Sequence, residues 1–181
     1  NNHTLPLDLS APVALFGRVQ KNYFYVGNGS GGDVSAPYSI NLVQGLVNAG
    51  VQLDSTVLAA YESWCTASVN DPDPGFWGHW PRYYAEMPVK QDWVQAAAKR
   101  CQTAVVVIGR SAGEDRENTL KKGSFYLTNK EKALLDAVTT AFQKVVLVLN
   151  IGSIMDFAEI DAYGDKISAI LLAWQLGMES G

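Results

Sequence analysis

The sequence has no apolar run approaching the roughly 18 residues of a membrane-spanning helix, and so no segment that reads as a membrane partner. It also has no stripe of lysine and arginine. Its 14 basic residues are scattered among 18 acidic ones for a net charge of −4, which excludes the electrostatic footprint of a nucleic-acid binder. The two cysteines, Cys65 and Cys101, form no metal or redox motif and read as buried free thiols, with a disulfide left open. The two histidines, His3 and His79, lie far apart in the chain. No metal site and no cofactor is expected from them, and His79 reads as a packed loop residue. The amino end, Asn1 to Leu7, lacks the charged-then-apolar pattern of a secretion signal and has no initiator methionine. The chain therefore reads as a piece of a larger protein, and its compartment, cytoplasmic or secreted, stays open. Internal repeats and low-complexity tracts are absent.

What is present is an ordinary globular composition, with 48% hydrophobic and 18% charged residues in 181. A chain of this length buries roughly 70% of its unfolded surface, so one core and one domain over residues 1–181 are expected. Apolar runs at 12–17, 23–26, 51–53, 103–108, 144–150 and 167–174 read as strands, the second and third of them short. Between them, helical patterns run over 37–49, 55–65 with Ser55 as its cap, 91–100, 128–142 and 153–162. The helix after Thr128 opens on a capping box, Thr128-Asn129-Lys130-Glu131. Strands alternating with helices of this length predict an α/β fold, a mostly parallel sheet sandwiched between helices in three layers. The stretch 70–88 breaks the pattern. Its four prolines forbid a continuous helix or central strand, while Phe76, Trp77, Trp80, Tyr83 and Tyr84 argue for an ordered aromatic loop. Those rings either pack into the core or offer a stacking surface to a flat or sugar-like ligand, with Trp77 as a candidate contact.

Two polar loops carry the candidate chemistry. Gly27-Asn28-Gly29-Ser30-Gly31-Gly32 matches G-x-G-x-x-G, and Asp54 follows Gly32 by 22 residues, close to the spacing of a ribose-binding acid. A dinucleotide site needs the helix to begin inside the glycine run. Here Asp33 to Ala36 intervene, which leaves a mobile turn at the sheet edge or, the better reading, a ligand-lining loop with Gly29 and Ser30 as candidate substrate contacts. The second loop, Gly109 to Asn118, follows the buried run 103–108 and so lies off the carboxyl end of a central parallel strand, where open α/β sheets bind ligands. Glu114 is its candidate reactive carboxylate. Among its neighbours, Arg110 and Arg116 are expected to face Asp115 or Glu117.

The stretch Thr103 to Asn118 resembles the second domain of glycoside hydrolase family 3, the β-glucosidase family. The resemblance continues through Lys122 to Thr128, Lys144 to Ser153, and Ile170 to Gln175 with Gly177 and Glu179. Upstream it takes in Asn2 to Leu7, the Gly27–Gly32 loop and Glu86-Met87-Pro88, so it covers nearly the whole chain in order. It implies a six-stranded α/β sandwich that follows a TIM-type barrel in the same protein, with a β-glucoside or oligosaccharide bound between them. It further implies that Glu114 is the general acid/base and that the nucleophile is an aspartate of the barrel, matched by no residue here. Two departures stand out: Asp115-Arg116 follow Glu114 directly where many members read Gly-Glu-Gly-x-Asp-Arg, and Leu176 stands where proline is usual. The competing expectation is a non-catalytic Rossmann- or flavodoxin-like module for a nucleotide or a sugar.

Overall fold

A computed structural model describes residues 3–32, 36–67 and 77–181. The part of the aromatic loop at 70–76, Phe76 included, lies outside the described residues. Four strands form one all-parallel sheet in the order β1 (Val13–Phe16), β2 (Thr103–Arg110), β3 (Lys144–Ile151) and β4 (Ala169–Leu172). In β2 and β3 every residue after the first is buried, because both faces of these central strands are covered.

Side-chain alternation divides the core in two. Ala14, Phe16, Ala104, Val106, Ile108, Val145, Leu147 and Leu149 point to one face. There they pack under α2 (Ser55–Thr66), α3 (Gln91–Ala98), α4 (Asn129–Ala141) and α5 (Ala158–Asp161), through Val57, Tyr61, Val94, Ala97, Leu134, Leu135, Val138 and Ile160. Val13, Leu15, Val105, Val107, Val146 and Val148 point the other way, against Val19, Phe24 and Leu42, the last on α1 (Leu42–Asn48). The result is the three-layer sandwich that the alternating pattern implies.

Several local expectations change. The run 23–26 is not a strand. Its backbone is held instead by the buried Asn150 side chain, which accepts from Phe24 N (2.8 Å) and donates to the carbonyls of Phe24 (2.8 Å) and Trp174 (2.6 Å). Residues 51–53 add only a single bridge, Leu53 to Val13, at the sheet edge. The expected helix from 37 starts at Leu42, with a capping box formed by Asn41 and Gln44. The residues before it are not helical, and Ile40 pairs through its backbone with Met178 and Gly181 (2.7 and 3.1 Å). Asp54, not Ser55, caps α2, accepting from Val57 N. The expected helix 153–162 shrinks to Ala158–Asp161. The capping box at Thr128 and Glu131 is present. Cys65 and Cys101 are free thiols, Cys101 buried and Cys65 half-buried.

Candidate active site

Strand β2 ends at Arg110, and the way that residue is fastened explains why the loop after it is ordered. Arg110 is fully buried and forms a two-pronged ion pair with Glu131 at 2.6 and 2.8 Å. Its guanidinium also donates to the carbonyls of Gly109, Ser124 and Tyr126, and stacks over the Tyr83 ring. The expectation that Arg110 faces Asp115 or Glu117 is thus wrong. Burial makes a close carboxylate partner necessary, and Glu131 meets the need from the first turn of α4. Arg116 turns away from those acids as well; its Nε donates to the Trp80 carbonyl at 2.7 Å.

Beyond Arg110 the chain is stitched to residues 80–82. Ser111 donates its backbone N–H to Arg82 O (2.9 Å) and its hydroxyl to Pro81 O (2.5 Å), and Arg82 donates to Glu117 O (2.6 Å). This carries the aromatic loop to the same end of the sheet. Tyr84 goes to the core reading, stacked on Phe24 at 4.8 Å. Trp77 is half exposed, lies edge-on to Trp80 at 5.3 Å, and donates its indole N–H to Asp115 Oδ2 at 3.2 Å. Asp115 itself sits at φ +54°, a left-handed conformation that aspartate tolerates better than most residues. His79, expected to be packed, is exposed.

The glycine loop arrives from the other side. Asn28 forms a parallel bridge to Gly113, with Asn28 N donating to Ala112 O (2.8 Å) and Glu114 N donating to Asn28 O (3.1 Å). Gly29 has φ +109°, and a Cβ there would lie 2.6 Å from Glu114 Cβ, so only glycine lets the two loops close to this distance. Ser30 then reaches Glu114 Oε2 twice, through its backbone N–H (2.9 Å) and its hydroxyl (2.6 Å). The Glu114 carboxyl is exposed, and these donations from the Ser30 hydroxyl and then its amide hold it below the usual glutamate range.

Glu114, Gly29, Ser30 and Trp77, separated by up to 85 positions, therefore gather at the carboxyl end of β2. Sequence reasoning singles out all four but misses how Gly29 and Ser30 meet Glu114. The only trace of that contact in the chain is the glycine-serine composition of the loop. Asp54 does not join them. It sits before the amino end of the sheet, bonded to Val13 O through its N–H and paired with Arg100 (2.6 Å). With α1 beginning at Leu42, well after the glycine run, the dinucleotide arrangement is not formed. Among the described residues no group of three histidine, cysteine or acidic side chains is placed to hold a metal ion.

Residues 1–181 match the glycosyl hydrolase family 3 C-terminal domain. A β-glucosidase of Ruminococcus albus is 40% identical over the whole chain, which spans 19% of that protein. The crystal structure of a β-glucosidase from Paenibacillus barengoltzii superposes with a TM-score of 0.93 at 34% identity, covering 99% of this chain and 20% of that one. β-Glucosidase 3B from Thermotoga neapolitana, solved in complex with glucose, superposes with a TM-score of 0.85 at 30% identity, and this chain covers 25% of it. The chain spans about a fifth to a quarter of the length of these relatives, and it belongs to glycosyl hydrolase family 3, as the C-terminal domain of that family.

Proposed function

We propose that this chain supplies the general acid/base, Glu114, of a retaining β-glucosidase whose nucleophile stands on a barrel domain of the same polypeptide. Residues 1–181 act as one sandwich domain that closes one side of the sugar site. Retaining hydrolysis uses two carboxyl groups about 5–5.5 Å apart across the scissile bond. The nucleophile attacks the anomeric carbon. Glu114 gives its proton to the departing oxygen, and then takes one from the water that releases the sugar. Trp77, half exposed beside Asp115, offers an apolar face to the sugar or its aglycone.

The observation that carries this reading is the placement of Glu114. It is an exposed carboxylate at the carboxyl end of a central parallel strand, on a loop pinned by backbone bonds on two sides. A free glutamate ionises at about 4.3, and Ser30 pulls Glu114 lower still in this domain. Closure of a barrel over the loop removes water from the carboxyl and brings a second carboxylate near it. Both effects raise its pKa towards the range an acid catalyst needs.

The test is Glu114→Ala in the intact enzyme. Hydrolysis of substrates with poor leaving groups falls by about 100-fold or more, the range for loss of a general acid/base, and on substrates with good leaving groups, where release of the sugar limits the rate, added azide restores part of the turnover. Undiminished turnover refutes the assignment. The 181-residue chain alone does not hydrolyse aryl β-glucosides, because it lacks the nucleophile.

A further inference from the structure

Glu114 is exposed, yet one of its oxygens is held firmly. The Ser30 N–H and O–H both donate to Oε2, at 2.9 and 2.6 Å, while among the described residues Oε1 accepts no hydrogen bond. The holding group is itself fixed. Asn28 is bridged to Gly113, Gly32 N donates back to Gly29 O (3.0 Å), and the positive φ of Gly29 brings the loop against the Glu114 stem. A carboxylate oxygen that already accepts two hydrogen bonds is a poor place for a proton, because both of its in-plane lone pairs are engaged.

We propose that Ser30 is the positioning residue for the acid/base, binding Glu114 Oε2 so that Oε1 is the oxygen that carries and transfers the catalytic proton. This rests on the reading of Glu114 as the acid/base. In the first step the O–H bond at Oε1 breaks as its proton passes to the glycosidic oxygen. The bond from that oxygen to the anomeric carbon breaks with its electron pair leaving on oxygen, and the nucleophile carboxylate forms the new bond. In the second step water attacks the anomeric carbon, its proton passes to Oε1, and the nucleophile departs with its electron pair. Oε2 stays bonded to Ser30 throughout. The charge that returns to Glu114 when it gives up its proton thus finds two donors already aimed at it.

The experiment compares Ser30→Ala, Ser30→Thr and Glu114→Ala with the parent in the intact enzyme. The measurement is kcat/KM against pH on two aryl β-glucosides, one with a good and one with a poor leaving group. Loss of the serine hydroxyl removes a donor to the ionised form. The basic limb of the Ser30→Ala profile therefore moves to higher pH, while Ser30→Thr stays near the parent. On the poor leaving group Ser30→Ala loses about 10-fold, and on the good one about 2-fold or less, since only the former needs the proton. An unmoved basic limb, or equal losses on both substrates, overturns the role of Ser30, provided that Glu114→Ala is still impaired and rescued by azide. If Glu114→Ala is itself unimpaired, the acid/base reading falls, and the role of Ser30 falls with it.

Discussion

The Arg110–Glu131 pair is the fastener that most directly joins the fold to the site, and its strength can be isolated. Glu131 has two jobs: its carboxylate closes the capping box with Thr128 (2.7 Å to Thr128 N) and neutralises a fully buried guanidinium. Glu131→Gln separates them. Glutamine serves at the third position of a capping box, so the cap survives while the charge is lost. Arg110 keeps its three carbonyl acceptors but has no counter-charge in a site where its own side chain is 0% and that of Glu131 6% exposed. Removing one partner of such a pair costs about 3–5 kcal/mol. Thr128→Ala, which loses only the cap, costs about 1 kcal/mol. At this chain length each kcal/mol is worth about 2–4 °C, so Tm falls by about 6–20 °C in Glu131→Gln and by about 2–4 °C in Thr128→Ala. Urea unfolding followed by the fluorescence of the five tryptophans gives the same ranking by midpoint. The double variant Arg110→Met with Glu131→Leu regains only part of the loss, since an apolar pair of similar volume replaces the buried charges but leaves Thr128 N and the carbonyls that Arg110 bonds without those partners. If Glu131→Gln proves no worse than Thr128→Ala, the pair is not what holds this end of β2.

Three other residues give further expected outcomes. Gly29→Ala pushes a methyl to within 2.6 Å of Glu114 Cβ at a left-handed φ. In the intact enzyme it lowers kcat on the order of 100-fold, because a displacement of about 1 Å at a reacting group is costly, and strain at the buried Gly29 lowers stability by about 1–3 kcal/mol by urea unfolding. Asn150→Ala leaves the Phe24 N–H and two carbonyls without the partner that replaces a strand there; it costs at least about 2 kcal/mol by urea unfolding, and hydrogen exchange at Phe24 N accelerates. Glu86 is fully buried, and burial outweighs its hydrogen bonds from Arg18 N, Met87 N and Tyr61, pushing its pKa up to about 7. The folded chain then holds a proton that the unfolded chain releases. Glu86 therefore stabilises the fold below about pH 4.5, and that contribution is lost as pH rises to about 7. Measured from pH 4.5 to 8, the parent loses up to about 3 kcal/mol that Glu86→Gln does not lose; parallel curves would show that the carboxyl titrates normally.

The placement of Glu114 was legible in the chain because it depends on order along a parallel strand. An apolar run of the right length identifies β2, and the residues directly after such a run must emerge at its carboxyl end. The capping box at Thr128 was legible for the same reason: it is a contact between residues three apart. Several of the mispredicted features involve long-range partners. The run 23–26 has strand composition, but its neighbour is the side chain of Asn150, 126 positions from Phe24, rather than another strand. The helix expected from Pro37 starts late, and Ile40 ahead of it is bonded to Met178 and Gly181. Asp54, spaced like a ribose-binding acid, caps a helix and pairs with Arg100 at the opposite end of the sheet.

Local pattern thus determined the parallel sandwich and the loop that bears Glu114, since burial periodicity and caps are written within a few residues of one another. Tertiary structure alone decided the partners: Glu131 rather than an acid of the loop for Arg110, and Ser30, 84 positions upstream, for Glu114. A buried charge or an oriented carboxylate takes whichever complementary group the packing brings within hydrogen-bonding distance, and distance along the chain does not record that.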